Sequence, residues 1–408
     1  MIELTLLEWL FAILVMLIFV NRYLFGSLLR LLDLRTKTEI CSKPTYWPSV
    51  TIITPVFNEG PGIINTADSF AALDYPVDKL NIVFVDDVST DDSWQHLQRV
   101  KEKYPWMDIQ KNPYNMGKRL GIRHTVLSIE SELVLSIDSD VIVEKSALRN
   151  MVTHMHSTGA DAVGGCVFIS NANENWLTRM QAVKYWVGYT FLKNVENSFS
   201  HVMCLSGCLT LYKRKALLAI DGDLQERRFL GDEVKYGEDR YLTRKLIERG
   251  LKTRLTFDAR CYTKAHNKLN NYLSQQLRWR RSNMIDQITA IPHYAKFNPY
   301  VLVNYISLGL ILFFYPLVLI AEFLRFGFLI PLLIHMMICS CFSVAYDLNK
   351  HKLPEQARTQ GIWFIGMALM FPIIYMTMNP LALATLGTTS WETRKAKMKA
   401  KFAGVTHS

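Results

Sequence analysis

Paired cysteines are missing from this chain of 408 residues. Its seven cysteines, at 41, 166, 204, 208, 261, 339 and 341, form no C-x2-C pairs with matching partners. That removes a zinc finger, and the spacing of a helix-turn-helix is absent as well. No disulfide framework is expected, and Cys204 and Cys208 read as small core residues. The glycine-rich spacing of a dinucleotide fingerprint or a P-loop does not follow the first strand pattern. Internal repeats and low-complexity segments are also lacking, which excludes a repeat array. The start has neither a cationic stretch nor a small-residue cleavage site. Its apolar run at 4–20 therefore reads as a membrane anchor rather than a removable signal peptide.

What is present is apolar and basic. Half of the residues are hydrophobic, the net charge is +10, and the mean hydropathy is +0.09. A basic surplus suits nucleic acid, anionic lipid or an anionic substrate. Here the basic residues cluster beside apolar spans, so nucleic acid is set aside as a partner. Arg22, Arg30, Arg35 and Lys37 follow the first apolar run, which places the next segment in the cytoplasm. From about 50 to 265, short β-branched runs (50–54, 82–85, 133–137, 162–163) alternate with helical patterns (63–73, 93–104, 119–129, 145–155). The alternation predicts an α/β domain with a mainly parallel sheet. Stretches 299–321, 326–345 and 361–386 are each apolar enough to span a bilayer. A cytoplasmic tail requires an even number of crossings from these, so the third is expected to bend at Pro372 or Pro380.

Two acidic clusters end predicted strands: Asp86-Asp87 and Asp138-Ser139-Asp140. Ligands bind at the carboxyl ends of strands in such sheets. Asp138 and Asp140, one residue apart at a buried strand end, are costly without a cation. Asp91, Asp92 or Ser93 serves as a helix cap, whereas Asp86 lies too early for capping and can accept from a base NH. Phe57, in Thr54-Pro55-Val56-Phe57-Asn58-Glu59, either stacks on a base or packs under the sheet. Lys118 and Arg119 open a helix and oppose its dipole unless an anion is near, and a diphosphate would supply one. Glu238 and Asp239 start another helix, as dipole complements or with one acting as a general base. Gln275, Arg278 and Trp279 lie on a helical pattern. Its stripe Tyr272, Trp279 and Ile285, with Arg280 and Arg281, fits an amphipathic interfacial helix.

In this order the motifs resemble those of processive, inverting family-2 glycosyltransferases, which include hyaluronan, chitin, chitooligosaccharide and cellulose synthases. The elements are Asp86-Asp87-Val88-Ser89, Asp138-Ser139-Asp140, Gly237-Glu238-Asp239, Gln275-x-x-Arg278-Trp279 and Trp391-Glu392-Thr393-Arg394. Glu392 replaces the usual Gly of the last. The resemblance implies a GT-A, Rossmann-like cytoplasmic domain at 48–268, with transmembrane helices at both ends of the chain. The anchor occupies 1–35, interface helices 269–298, the membrane region 299–390 and a basic tail 391–408. It implies a UDP-sugar donor, a growing polysaccharide acceptor, a bilayer and Mg²⁺ or Mn²⁺. Phe57 would stack on uracil and Asp86 read its edge, with Glu59 and Asp87 beside the donor. Asp138 and Asp140 would hold the metal and UDP, Lys118 the diphosphate, and Asp239, next to Glu238, would be the base. Gln275, Arg278 and Trp279 would shape the acceptor site, and Trp391 and Arg394 would close over the nucleotide.

Ser206-Gly207-Cys208-Leu209-Thr210-Leu211-Tyr212-Lys213-Arg214 resembles an element of hyaluronan and chitooligosaccharide synthases, with Cys208 where they carry Pro. Phe229-Leu230-Gly231, Ala259-Arg260-Cys261 and the double Gln before Leu277 look closer to hyaluronan synthases. The single N-terminal span and modest length look closer to chitooligosaccharide synthases. The balance leans to a hyaluronan synthase using UDP-N-acetylglucosamine and UDP-glucuronate. The alternatives are a chitin-type synthase using UDP-N-acetylglucosamine alone and a non-processive transferase to a lipid.

Overall fold

A computed structural model describes residues 44–387. Among them are two compact units, one of residues 44–170 and 200–264, the other of 171–199 and 265–386. The predicted N-terminal anchor, and Trp391 and Arg394 in the tail, lie outside the described residues.

The first unit is built on an eight-stranded sheet. Its strands are β1 (Val50–Val56), β2 (Leu80–Asp86), β3 (Asp108–Lys111), β4 (Leu133–Ser136), β5 (Ile142–Val143), β6 (Ala162–Ile169), β7 (Thr210–Lys213) and β10 (Thr253–Thr263). β8 (Arg228–Phe229) and β9 (Asp232–Glu233) form a separate hairpin. The order across the sheet is β3-β2-β1-β4-β7-β6-β10-β5. Ile52, Ile53, Val83, Phe84, Val134 and Leu135 are buried. Strands covered on both faces carry such continuous apolar runs. β1 pairs in parallel with β2 and β4, and β2 with β3.

The expected mainly parallel sheet is in fact mixed. β7 lies antiparallel between β4 and β6, and β5 lies antiparallel on β10. A right-handed crossover governs consecutive parallel strands. The chain between β6 and β7 instead enters the other unit at 171–199, so β7 is free to return in the opposite sense. The consequence is functional. An antiparallel strand starts where its neighbour ends, so the loop before β7 arrives at the carboxyl end of β4, with Thr210 opposite Ser136.

The second unit is helical. Trp176–Trp186 and Leu269–Ala290 accompany three helices long and apolar enough to cross a membrane: Pro299–Phe326, Leu329–Lys352 and Trp363–Ala384. Only 6% of the most apolar window in the second of these is buried, as suits a surface solvated by lipid. The third stretch is not broken where a break was expected. Trp363–Ala384 runs unbroken through Pro372 and Pro380, which apolar helices tolerate when neighbours pack around them.

A repair of this kind is visible at Pro316, inside Pro299–Phe326. Proline has no N–H for the carbonyl four residues earlier, here Leu312. The Asn379 Nδ2 donates to that carbonyl oxygen at 2.7 Å, and Arg280 Nε donates to Asn379 Oδ1 at 2.7 Å. Arg280 and Arg281 are both buried. This differs from the polar face expected of Leu269–Ala290: side-chain oxygens of Asn379, Gln276 and Thr385 receive these cations inside the unit.

Candidate active site

Because β1, β2 and β4 are parallel, their carboxyl ends share one edge of the sheet. Val56 lies opposite Asp86, and Ile137 N donates to Ile53 O at 3.1 Å. Asp86 is wholly buried, and both its oxygens face the Ser89 N–H at 3.3 Å. Around it two loops clasp each other. Asn58 N donates to Ser89 Oγ at 3.0 Å and Thr90 N to Asn58 Oδ1 at 2.8 Å. Ser93 Oγ accepts from the N–H groups of Glu59 and Gly60 at 2.8 and 2.9 Å, and donates to Asp91 Oδ1 at 2.6 Å. Asn58 and Val88 adopt φ of 54° and 62°. A β-branched residue held there costs about 1–3 kcal/mol. Strain of that kind gathers at ligand sites, and here it brackets the half-buried Phe57.

Asp87 has a different occupation from the one expected. Its oxygens accept from Asn112 Nδ2 at 2.9 Å, Met116 N at 2.9 Å and Gly117 N at 2.8 Å. These last two N–H groups open the helix Gly117–Ser128. The anion required by Lys118 and Arg119 at this helix start is therefore Asp87, from the protein itself. Asp87 anchors the helix that presents Lys118.

Lys118 is the hub of the site. Its Nζ donates to Asp138 Oδ1 at 2.5 Å and lies 3.3 Å from Glu238 Oε1 and 3.4 Å from Gly207 O. Its side chain is 9% exposed. Burial alone would lower its pKa, but the charges of Asp138 and Glu238 outweigh burial and hold it above the ordinary lysine range. One buried ammonium thus joins two acidic motifs a hundred residues apart. Gly207, from the loop before β7, leaves room for it: a Cβ there would stand 2.3 Å from Lys118 Nζ. Gly207→Ala is accordingly expected to displace the ammonium and slow the reaction of this site roughly 10²-fold. Assay of membranes beside an unfolding midpoint close to wild type would check it.

Asp140 is exposed, and Thr263 Oγ1 at the end of β10 donates to its Oδ2 at 3.3 Å. Packing around its carboxyl group, then the charges of Asp138 and Glu59, raise its pKa above the ordinary carboxylate range. Glu59 is tied in by Ser139 Oγ, which donates to its Oε2 at 3.0 Å. Crowded carboxylates that raise one another suit a hard divalent cation, so the donor set fits Mg²⁺ or Mn²⁺. Among the described residues no group of three or more His, Cys, Asp or Glu forms a complete cage.

Glu238 and Asp239 begin the helix Glu238–Glu248, behind Gly237 at φ 70°. Asp239 Oδ1 accepts from Arg240 N at 2.8 Å. Arg227, buried, donates to the carbonyls of Tyr236 and Gly237 at 2.7 and 3.1 Å and fixes the turn. Thr243 Oγ1 donates to Asp239 O at 2.7 Å and accepts from Leu205 N at 3.0 Å, joining the Gly207 loop to this helix. Farther along, Glu248 pairs with Arg244, both side chains at most 4% exposed, and with Lys245 at 2.9 Å. Glu248→Gln leaves these cations underpaired. It is expected to destabilise the unit by roughly 3–5 kcal/mol, read as a lowered denaturation midpoint, with little loss in Arg244→Met/Glu248→Leu.

The first unit therefore brings together Phe57, Glu59, Asp86, Asp87, Lys118, Asp138, Asp140, Glu238 and Asp239. Gln275, Arg278 and Trp279 lie on Leu269–Ala290 in the second unit, where each is half-buried and Lys184 Nζ stands 5.8 Å over the Trp279 ring. Cys204 and Cys208 are half-buried rather than core residues, and Cys208 belongs to the Gly207 loop. Four contributors escaped the sequence reading as site residues: Gly207, Arg227, Thr243 and Thr263. Gly207 stood in the Ser206–Arg214 element, and Thr243 in the run that continues Gly237-Glu238-Asp239 along its helix.

Comparison with known proteins agrees with this geometry. The family described as "Glycosyltransferase like family 2" matches residues 48–282. An N-acetylglucosaminyltransferase of Bradyrhizobium diazoefficiens is 31% identical over 356 residues, covering 85% of this chain and 72% of that protein. One from Mesorhizobium japonicum is 30% identical over 368 residues, covering 88% and 84%. Among solved structures, the mannosyltransferase PcManGT from Pyrobaculum calidifontis, in complex with GDP-Man and Mn²⁺, is similar with a TM-score of 0.60. At 20% identity over 93% of this chain and 99% of that one, the likeness is of the GT-A fold.

Proposed function

The chain belongs to the family-2 glycosyltransferases, and from that premise we propose that it polymerises N-acetylglucosamine from UDP-N-acetylglucosamine into a β-linked, chitin-type chain at the cell membrane. The carrying observation is the Lys118 ammonium, paired with Asp138 of one motif and Glu238 of another. In this reading a diphosphate site and a base site meet at that ammonium. The shared name of the rhizobial relatives favours N-acetylglucosamine alone. The hyaluronan reading rests on Phe229-Leu230-Gly231, Ala259-Arg260-Cys261 and the double Gln.

In this reading Asp86 accepts from the edge of uracil and Phe57 covers its face. Asp239 takes the proton of the acceptor hydroxyl as its oxygen attacks the anomeric carbon and the bond to UDP breaks. Lys118 offsets the charge that develops on the departing diphosphate. Asp138 and Asp140 would hold Mg²⁺ or Mn²⁺, which supplies Lewis acidity to the diphosphate. A single displacement inverts the anomeric centre and needs no second carboxylate acid, unlike a glycosidase pair. Arg278 and Trp279 serve the acceptor, as the resemblance implies. The catalytic unit faces the cytoplasm. Pro299–Phe326 and Leu329–Lys352 then form a hairpin that returns Lys350, Lys352 and Arg358 to the same side, and the helical unit carries the polymer outward.

Membranes given UDP-N-acetylglucosamine, with and without UDP-glucuronate, provide the test. Polymer formed without glucuronate and cut by chitinase is expected. Product that requires glucuronate and yields to hyaluronidase would replace this reading with the hyaluronan one.

A further inference from the structure

Three helices of the second unit, Trp176–Trp186, Leu269–Ala290 and Trp363–Ala384, line a partly open cavity of about 10 Å³. It has room for one water-sized occupant. Its charged and amide lining consists of Lys184, Gln276 and Arg280, and Met367, Met370 and Phe371 close the apolar side.

Apart from the Tyr272 hydroxyl and the Gln276 amide oxygen, the polar groups of the lining are donors. Lys184 Nζ donates to Gln276 Oε1 at 2.8 Å and Arg280 Nη1 to the same oxygen at 3.3 Å. These two contacts use both lone pairs of the one amide oxygen. Gln276 Nε2 is then left buried with no hydrogen-bond partner, in a residue only 2% exposed. No carboxylate lines the cavity, and neither Lys184 nor Arg280 makes an ion pair among the described residues. Desolvation, then the neighbouring guanidinium, push the Lys184 ammonium down to about 7. A guanidinium and a lysine amine of weakened basicity therefore share a poorly hydrated space without a countercharge among the described residues, and an anion there would restore the charge of the lysine.

A water molecule in this cavity would satisfy the amide but leave the charge uncompensated. A phosphate or sulfate, or the phosphate of a lipid headgroup, is too large for one water's room. We propose that the cavity is a halide site, taking one chloride between Lys184, Gln276 and Arg280. The ion supplies the missing countercharge and pins the helix bearing Gln275, Arg278 and Trp279 to Trp363–Ala384. This site is independent of the sugar assignment.

The full chain, purified in detergent, can be melted at constant ionic strength in potassium chloride, bromide, gluconate or sulfate. Chloride and bromide are expected to raise the midpoint over gluconate by roughly 2–4 °C. Gln276→Glu provides a built-in anion, so its midpoint should be the same in chloride and gluconate. Lys184→Met should also erase the difference. Where Lys184→Met does not fold, Gln276→Glu and the wild-type salt series decide alone. Equal wild-type midpoints in chloride and gluconate would leave water as the occupant and overturn the site. So would a chloride effect that survives in Gln276→Glu. Sulfate matching chloride would overturn the size argument.

Discussion

Asp239→Asn is expected to stop sugar transfer while UDP binds with unchanged affinity. A positioned general base contributes typically about 10²–10⁴-fold, and Asn can take no proton at the same place. The substitution is otherwise gentle. An amide oxygen can still accept from Arg240 N, and the backbone carbonyl keeps its bond from Thr243. Lys118 stays paired with Asp138 and Glu238, so the donor pocket is intact. The measurement is UDP affinity by calorimetry beside polymer output from the same membranes. Equal affinity with normal output would sink the base assignment.

Asp138→Asn should give the opposite signature. The amide can still meet Lys118, but one negative charge is gone, and the ammonium is left to Glu238 at 3.3 Å. A divalent cation would retain only Asp140 of the pair. Transfer should fall by about 10²–10³-fold, with UDP affinity falling beside it and a weaker response to added Mn²⁺. A normal donor affinity in Asp138→Asn with a slow chemical step would move the metal and diphosphate elsewhere. The two substitutions together separate a group that acts on the acceptor from one that holds the donor.

Much of this site was legible because its acids sit at strand ends whose strands advertise themselves. Val83-Phe84-Val85 and Val134-Leu135 are buried on both faces and read as strands without help. Asp86 and Asp138 follow directly. β3, with Asp108, Gln110 and Lys111, is a polar edge strand and carries no such signal. β10 mixes Arg254, Asp258 and Arg260 into its run and bends at an irregularity between Leu255 and Arg260. β7 was recognised as a motif but not as a reversed strand, since direction depends on where the chain goes between β6 and β7. That hid the meeting of Gly207 with Lys118. The bonds from Met116 N and Gly117 N to Asp87 were not foreseen, because they come from backbone groups that no residue pattern announces. The unbroken course of Trp363–Ala384 was hidden for a related reason: prolines mark where a helix lacks bonds, and neighbouring helices decide whether it breaks.

Pro316 and Asn379 also bear on the order in which the chain is made. The Leu312 carbonyl lies within an apolar helix, yet its donor, Asn379, is 67 residues later. While a ribosome is still synthesising the intervening stretch, that oxygen has no amide to receive. Pro299–Phe326 is thus incomplete when it is made, and it is finished only when Trp363–Ala384 packs against it. Chains cut short before Asn379 carry this defect permanently, which would give a quality-control protease a way to tell partial products from whole ones.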